Sequence, residues 1–212
     1  MALAALGVLL TACEPGTGHA SWLLNEKSGS TATDSAGNND GDNRNVALGQ
    51  PGHEGTSYGF NGDDSIVRVP SAPDLNPGTG DITFGAWVNF TTLPPEETWD
   101  VVRKGISGDD GGYYKLELFT GNGGARARCY FRDEDGTSKS VVKGTGLSDG
   151  AWHQLSCTKA DGKVTATVDG ASSSNDVRLS RIANESDITI GGKPTGTDNF
   201  RGRIDQVRVD VG

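Results

Sequence analysis

Asp81-Ile-Thr-Phe-Gly-Ala-Trp-Val-Asn-Phe90 is the stretch that decides the fold. Ile82, Phe84, Ala86 and Val88 are apolar at alternate positions, so an extended chain gathers them on one face. No window beyond residue 25 shows the i, i+3, i+4, i+7 stripe of an amphipathic helix. Working outward, Tyr58-Gly-Phe60 and Ile66-Val-Arg-Val69 flank a turn at Asn61-Gly-Asp-Asp64 and read as a hairpin. Residues 71–80 form a Pro/Gly loop, and residues 91–100 form a Pro-containing loop carrying Trp99. Residues 113–119 and 125–131 flank Gly121-Asn-Gly-Gly124, and residues 152–159 and 163–169 meet across Asp161-Gly162. Residues 138–142, 188–190 and 200–209 supply the remaining strands. In the last of these Ile204 is apolar on one face, but Val207 and Val209 lie on the other. Either both faces are covered there or a bulge sits near Asp205-Gln206. Upstream, Trp22-Leu-Leu opens the domain, and residues 34–45, dense in Asp, Asn and Gly, read as a loop. Many short alternating strands with regular turns predict an all-β sandwich or barrel, one domain over residues 20–212 without internal repeats.

Composition agrees. The 212 residues include 32 glycines and one methionine, well above the usual glycine share of about 7%, which favours turns and short strands. The net charge of −9, with basic residues scattered, argues against nucleic acid as a partner. The acidity reads either as surface solvation or, at some Asp residues, as calcium ligation.

Residues 1–12 are apolar but shorter than the about 20 residues that span a bilayer, and fit the core of a secretory signal. Leu10-Thr-Ala-Cys13 resembles the bacterial lipobox, in which the cysteine is lipidated and becomes the mature N-terminus. The alternative is an ordinary secretory signal with an incidental cysteine; no Lys or Arg precedes Cys13. Residues 1–19 are thus expected to be signal and tether. The domain is expected outside the cell, touching a membrane only through a lipid at Cys13.

With Cys13 set aside, Cys129 and Cys157 remain as an even pair in an oxidising compartment. Alternation puts Cys129 on one face with Ala127 and Phe131, and Cys157 with Leu155. Both sulfurs can therefore enter one core, as a disulfide or as two buried thiols. No second Cys or His stands at zinc-ligand spacing.

These words occur in a familiar order. Trp22-Leu-Leu-Asn-Glu26, Ala32-Thr-Asp34-Ser-Ala-Gly37, Phe60-Asn-Gly62, Ile82-Thr-Phe-Gly-Ala-Trp87-Val, Val102-Arg-Lys104-Gly105, Gly150-Ala-Trp152-His153, Val168-Asp-Gly170 and Phe200-Arg-Gly-Arg-Ile204-Asp205-Gln-Val-Arg-Val209 resemble bacterial laminin G-like jelly rolls of the concanavalin A-like lectin/glucanase class. The resemblance runs from about residue 20 to residue 211, and the placing of Cys129 and Cys157 is similar to an actinobacterial subset. It implies two antiparallel sheets packed face to face, and a recognition role toward carbohydrate or protein at a cell surface. In similar jelly rolls a metal joins an N-terminal Asp loop to an Asp in the last strand. That implies a structural Ca²⁺ held by Asp34, Asn38 and Asp205, pinning the chain ends. The residue-level alternative is an Asx-turn loop with Asp205 capped by neighbouring backbone.

For a sugar, an exposed ring and planar polar groups are needed. Trp22, Trp87 and Trp152 fall in strand words and read as core, whereas Trp99 reads as a loop residue. Tyr113 and Tyr130 fall opposite Leu116 and Cys129, beside Lys115, Glu117, Arg126 and Arg128. Trp99, Tyr113, Tyr130 and Arg128 are the candidate ligand residues; the alternative is a solvated sheet face with cross-strand ion pairs. The Glu-x-Asp-x-x-Glu string of glucanases on this fold is missing, as are nucleophile-elbow, His-Glu-x-x-His and phosphate-loop motifs. A non-catalytic glycan-recognition module is therefore expected, with a carbohydrate-active enzyme or an adhesive lipoprotein domain as alternatives.

Overall fold

The computed structural model describes residues 17–212. Cys13 and the apolar run before it lie outside the described residues. The strands are β1 (Gly18–Trp22), β2 (Thr31–Ala32), β3 (Gly41–Arg44), β4 (Ala47–Pro51), β5 (Thr56–Asn61), β6 (Ile66–Val69), β7 (Ile82–Asn89), β8 (Thr98–Lys104), β9 (Tyr113–Gly121), β10 (Gly124–Arg132), β11 (Ser138–Lys143), β12 (Trp152–Ala160), β13 (Lys163–Val168), β14 (Ala171–Asp176), β15 (Ile188–Ile190) and β16 (Arg201–Val211). They form two antiparallel sheets stacked as a jelly-roll sandwich. The first runs β14-β13-β12-β7-β16-β5-β4, with β1 also paired to β16. The second runs β11-β10-β9-β8-β15-β6-β3-β2.

The alternation in β7 behaves as expected: Ile82, Phe84, Ala86 and Val88 are buried in the core. So are Leu155, Cys157, Val164, Ala166 and Val168 from β12 and β13, facing Leu116, Leu118, Ala127, Cys129 and Phe131 of β9 and β10. Phe84 packs against Tyr114 and Phe131 with centroids 4.8 and 5.7 Å away, joining the layers. The β9–β10 and β12–β13 hairpins form in the expected register. Asp161 and Gly162 both take positive φ, as a two-residue hairpin turn matched to strand twist requires. In β16 the register shifts between Asp205 and Arg208. That bulge is why Ile204 and Val207 both face inward.

Two expectations are corrected. β5 and β6 do not pair; β5 lies in the first sheet and β6 in the second. The turn between them is a corner linking the layers, held by Asn61 Oδ1, which accepts from the backbone N–H groups of Asp63, Asp64 and Ser65. Turn residues look alike whether the chain folds back on itself or crosses over. The loop expected over residues 34–45 also contains β3, which pairs with β2 and β6.

Cys129 of the second sheet and Cys157 of the first form a disulfide across the core, with Cα atoms 5.4 Å apart and a sequence separation of 28. Closing a loop of this size stabilises by roughly 3–4 kcal/mol in the chain-entropy model. Replacing both cysteines by alanine should lower the unfolding free energy by about that amount and Tm by on the order of 10 °C. Calorimetry checks this, and thiol titration of the unfolded, unreduced protein should find neither Cys129 nor Cys157 free.

Candidate functional site

The outer face of the second sheet carries a cluster of charged side chains. It is assembled by β8, β9 and β10. Tyr114, Leu116 and Leu118 of β9 point inward, so Tyr113, Lys115, Glu117 and Phe119 point outward. Arg126, Arg128, Tyr130 and Arg132 of β10 lie opposite Phe119, Glu117, Lys115 and Tyr113. In β8 a register shift between Asp100 and Val102 buries both Val101 and Val102 while leaving Asp100 and Arg103 on the outer face. Cross-strand pairing then sets Asp100 opposite Glu117 and Arg103 opposite Lys115.

The result is a continuous ionic network. Arg103 pairs with Asp100, and both Lys115 and Arg128 pair with Glu117. The Lys115 ammonium also lies 3.7 Å from Asp100, and Asp198 approaches Arg103 at 4.0 Å and Lys193 at 3.9 Å. Asp198 comes from the segment before β16, whose carbonyl accepts from the Asp100 backbone N–H at 2.8 Å. The network is nearly dry although it sits on an outward face: Asp100 is 0%, Glu117 1% and Arg103 3% exposed. One oxygen of Asp100 accepts no hydrogen bond. Burial pushes the Asp100 carboxyl up to about 6, opposed by the charges of Arg103 and Lys115.

Beside this network Tyr113 and Tyr130 stack, with centroids 5.3 Å apart and planes 15° from parallel. Arg103 lies 5.8 Å from the Tyr113 centroid, and Arg128 lies 4.8 Å over Phe119. Burial raises the Tyr113 phenol above its ordinary range. Tyr113, Tyr130 and Arg128 are thus brought together.

Trp99 is not with them. It belongs to β8, is 2% exposed, and packs edge-on against Phe90 and Phe200 with its indole N–H on Glu97. The Pro94-Pro95 pair marked its neighbourhood as a loop, but the strand begins at Thr98. Conversely Trp87 and Trp152, expected in the core, are half-exposed on the outer face of the first sheet. The alternation of Ile82, Phe84, Ala86 and Val88 already implies this for Trp87.

Asp34 and Asp205 each accept backbone hydrogen bonds, from different segments. Asp34 Oδ1 accepts from the backbone N–H groups of Ser21 and Ala36, and Oδ2 from that of Asn39. Asp205 Oδ2 accepts from His53 and Glu54, and Asn38 is exposed. Among the described residues no three or more His, Cys, Asp or Glu side chains gather to hold a metal ion. Each carboxylate clasps backbone, Asp34 its own loop and Asp205 the segment after β4, while Asp205 Oδ1 is buried and accepts no hydrogen bond.

The family model for the concanavalin A-like lectin/glucanases superfamily matches residues 60–210. The chain belongs to this superfamily. No curated protein sequence matches it. Among solved structures, this lectin/glucanase-type chain is similar to the botulinum neurotoxin serotype D binding domain, at TM-score 0.67 and 16% identity, covering 90% of this chain and 47% of that one. Trypanosoma rangeli sialidase gives 0.64 and 19%, covering 91% and 30%. Domain 4 of AbnA, a GH43 extracellular arabinanase from Geobacillus stearothermophilus, in complex with arabinotriose, gives 0.63 and 18%, with 92% of each chain covered. The chain spans about half the length of the toxin binding domains it matches. Binding modules and glycosidases share this fold, and these likenesses carry the fold alone.

Asp100, Arg103, Lys193 and Asp198 were missed from sequence, because only the bulge in β8 and the fold of the segment before β16 bring them together. Asp100 titrates near 6 folded against an ordinary 3.8. The stability it contributes is therefore complete below about pH 3.8 and is lost as pH rises through about 6. The unfolding free energy of Asp100→Asn relative to wild type should rise between pH 4 and pH 7, by at most roughly 3 kcal/mol. Urea unfolding at pH 4, 5, 6 and 7 measures this; a flat difference would show that burial does not hold the proton.

Proposed function

We propose that the protein is a non-catalytic carbohydrate-recognition module whose glycan lies on the outer face of the second sheet, against Tyr130 and Arg128 with Tyr113 behind. The observation that carries this is the dry ionic network of Asp100, Arg103, Lys115, Glu117 and Arg128 beside a stacked tyrosine pair. Desolvating paired charges often costs as much as their attraction returns, and an apolar patch of the same shape would hold the strands as well. Their retention on a face that packs against no other layer supports a recognition role. Preset polar groups beside an aromatic surface suit sugar hydroxyls and C–H faces. The resemblance to an arabinanase domain bound to arabinotriose supports the same ligand class.

The inter-sheet disulfide supports display in an oxidising compartment. Anchoring through a lipid on Cys13 belongs to this proposal, as does a surface protein as the alternative partner.

One observation favours a glycosidase reading: Asp100 and Glu117 face each other on neighbouring strands, and Asp100 titrates in the range of a general acid. Against it, Glu117 is engaged by Lys115 and Arg128, and Asp100 by Arg103 and Lys115. A glycan array with the residue 20–212 fragment should register oligosaccharide binding that falls at least tenfold in Tyr130→Ala and in Arg128→Ala, with Tm little changed. Release of reducing ends or unsaturated products from polysaccharides would overturn the non-catalytic assignment. Binding confined to proteins would overturn the glycan.

A further inference from the structure

The opposite face of the sandwich holds a second polar trough. It lies over Gly85 in the middle of β7 and has a volume of about 310 Å³, near the lower end for ligand pockets. Its shape follows from strand geometry. Gly85 sits between Ser156 of β12 and Arg208 of β16. The backbones approach so closely that a Cβ at residue 85 would stand 2.2 Å from the Leu155 carbonyl oxygen. Only glycine fits, so the outer face lacks a side chain there and a depression opens. Thr83, whose hydroxyl meets Thr158 at 2.9 Å, bounds one end.

Trp87 bounds the other end. His53 stacks on its ring at 3.6 Å and 12°, yet the trough is lined by Trp87 and not by His53. His53 is itself fixed by its backbone N–H, which donates to the buried Asp205 at 2.8 Å. Trp152 closes edge-on to His53 at 6.4 Å, with Arg203 5.3 Å from its own ring. The indole is thus a braced wall.

The polar lining is planar and outward-facing. Gln154 and Arg208 are exposed. Gln206, at positive φ in the β16 bulge, donates its amide to Glu54 at 3.1 Å and keeps its carbonyl as an acceptor. Asp210 is tied to His19. The lining carries one cationic and one anionic residue, Arg208 and Asp210, so its charge balances.

We infer that this trough is a second saccharide site for a neutral sugar unit, its ring against Trp87 and its hydroxyls on Gln154, Gln206 and Arg208. The site does not depend on the tyrosine face. The two lie on opposite outer faces, so one module holds two saccharide segments. The fluorophores separate the sites. Trp87 and Trp152 flank the trough, whereas Trp22 and Trp99 are in the core at 0% and 2% exposure.

Tryptophan emission and calorimetry of the protein titrated with arabinotriose, cellotriose and maltotriose test the inference. At least one trisaccharide should change the emission saturably, and this change should persist in Tyr130→Ala. It should weaken at least tenfold in Gln154→Ala/Arg208→Ala and in Trp87→Phe, with Tm unchanged in the first variant. A sugar that also binds the tyrosine face should give a stoichiometry near two in wild type and near one in each single-site variant. Binding at a stoichiometry of one that disappears in Tyr130→Ala, without emission change, would overturn the second site while leaving the first intact. An absence of heat and emission change with all three sugars would overturn the second site, while binding on the glycan array would still decide the first.

Discussion

The bulge in β16 is the constraint on which the two faces of the first sheet depend. β16 is the longest strand and pairs with β1, β5 and β7. A two-residue alternation carried through it unbroken would send Val207, Val209 and Val211 outward if Ile204 faced the core. The extra residue, with Gln206 at φ 48°, resets the alternation so that all four are buried. A non-glycine residue in that region stores backbone strain. It is offset locally by Asp205, whose fully buried carboxylate accepts two backbone N–H groups from the segment after β4. Burial raises the Asp205 pKa in spite of those bonds. One hydrogen-bonded carboxylate therefore fixes the parity of the last strand, the position of His53, and through it the orientation of Trp87.

The second sheet solves a related problem with charge. Its bulge in β8 places both Val101 and Val102 inward and presents Asp100 and Arg103 outward. Three carboxylates, Asp100, Glu117 and Asp198, meet Arg103, Lys115, Arg128 and Lys193. Removing Arg103, the closest partner of the buried Asp100, would leave a dry, poorly compensated charge, a cost of several kcal/mol, whereas the complete network is close to neutral in energy. Such a network adds little stability, yet it holds every polar group on that face in one arrangement.

What could be read from the sequence was whatever alternation and adjacency carry. Ile82, Phe84, Ala86 and Val88 gave the core face of β7, and the parity slip after Ile204 pointed to the bulge. The outward set of Tyr113, Lys115, Glu117, Arg128 and Tyr130 followed from the same rule. Its near-dryness did not, because that depends on how the segment around Asp198 folds back. Trp99 was misplaced because proline punctuation five residues earlier outweighed the apolar positions that follow. The Asp34–Asp205 clasp was carried over by resemblance. The backbone N–H groups that Asp34 and Asp205 Oδ2 accept from belong to turns whose geometry composition does not specify.

The two outer faces differ in how far their polar groups are ordered before any ligand arrives. Buried Glu117 holds the partly exposed Arg128 in an ion pair, so a ligand on the tyrosine face meets an arginine that has already lost much of its rotamer freedom. Arg208 and Gln154 stand exposed in the trough, and fixing each long side chain costs about 0.5–1.5 kcal/mol. Trp87 offsets part of this, since His53 already restrains it. Under the proposed function the tyrosine face is the more preorganised of the two sites and the trough the more adaptable one.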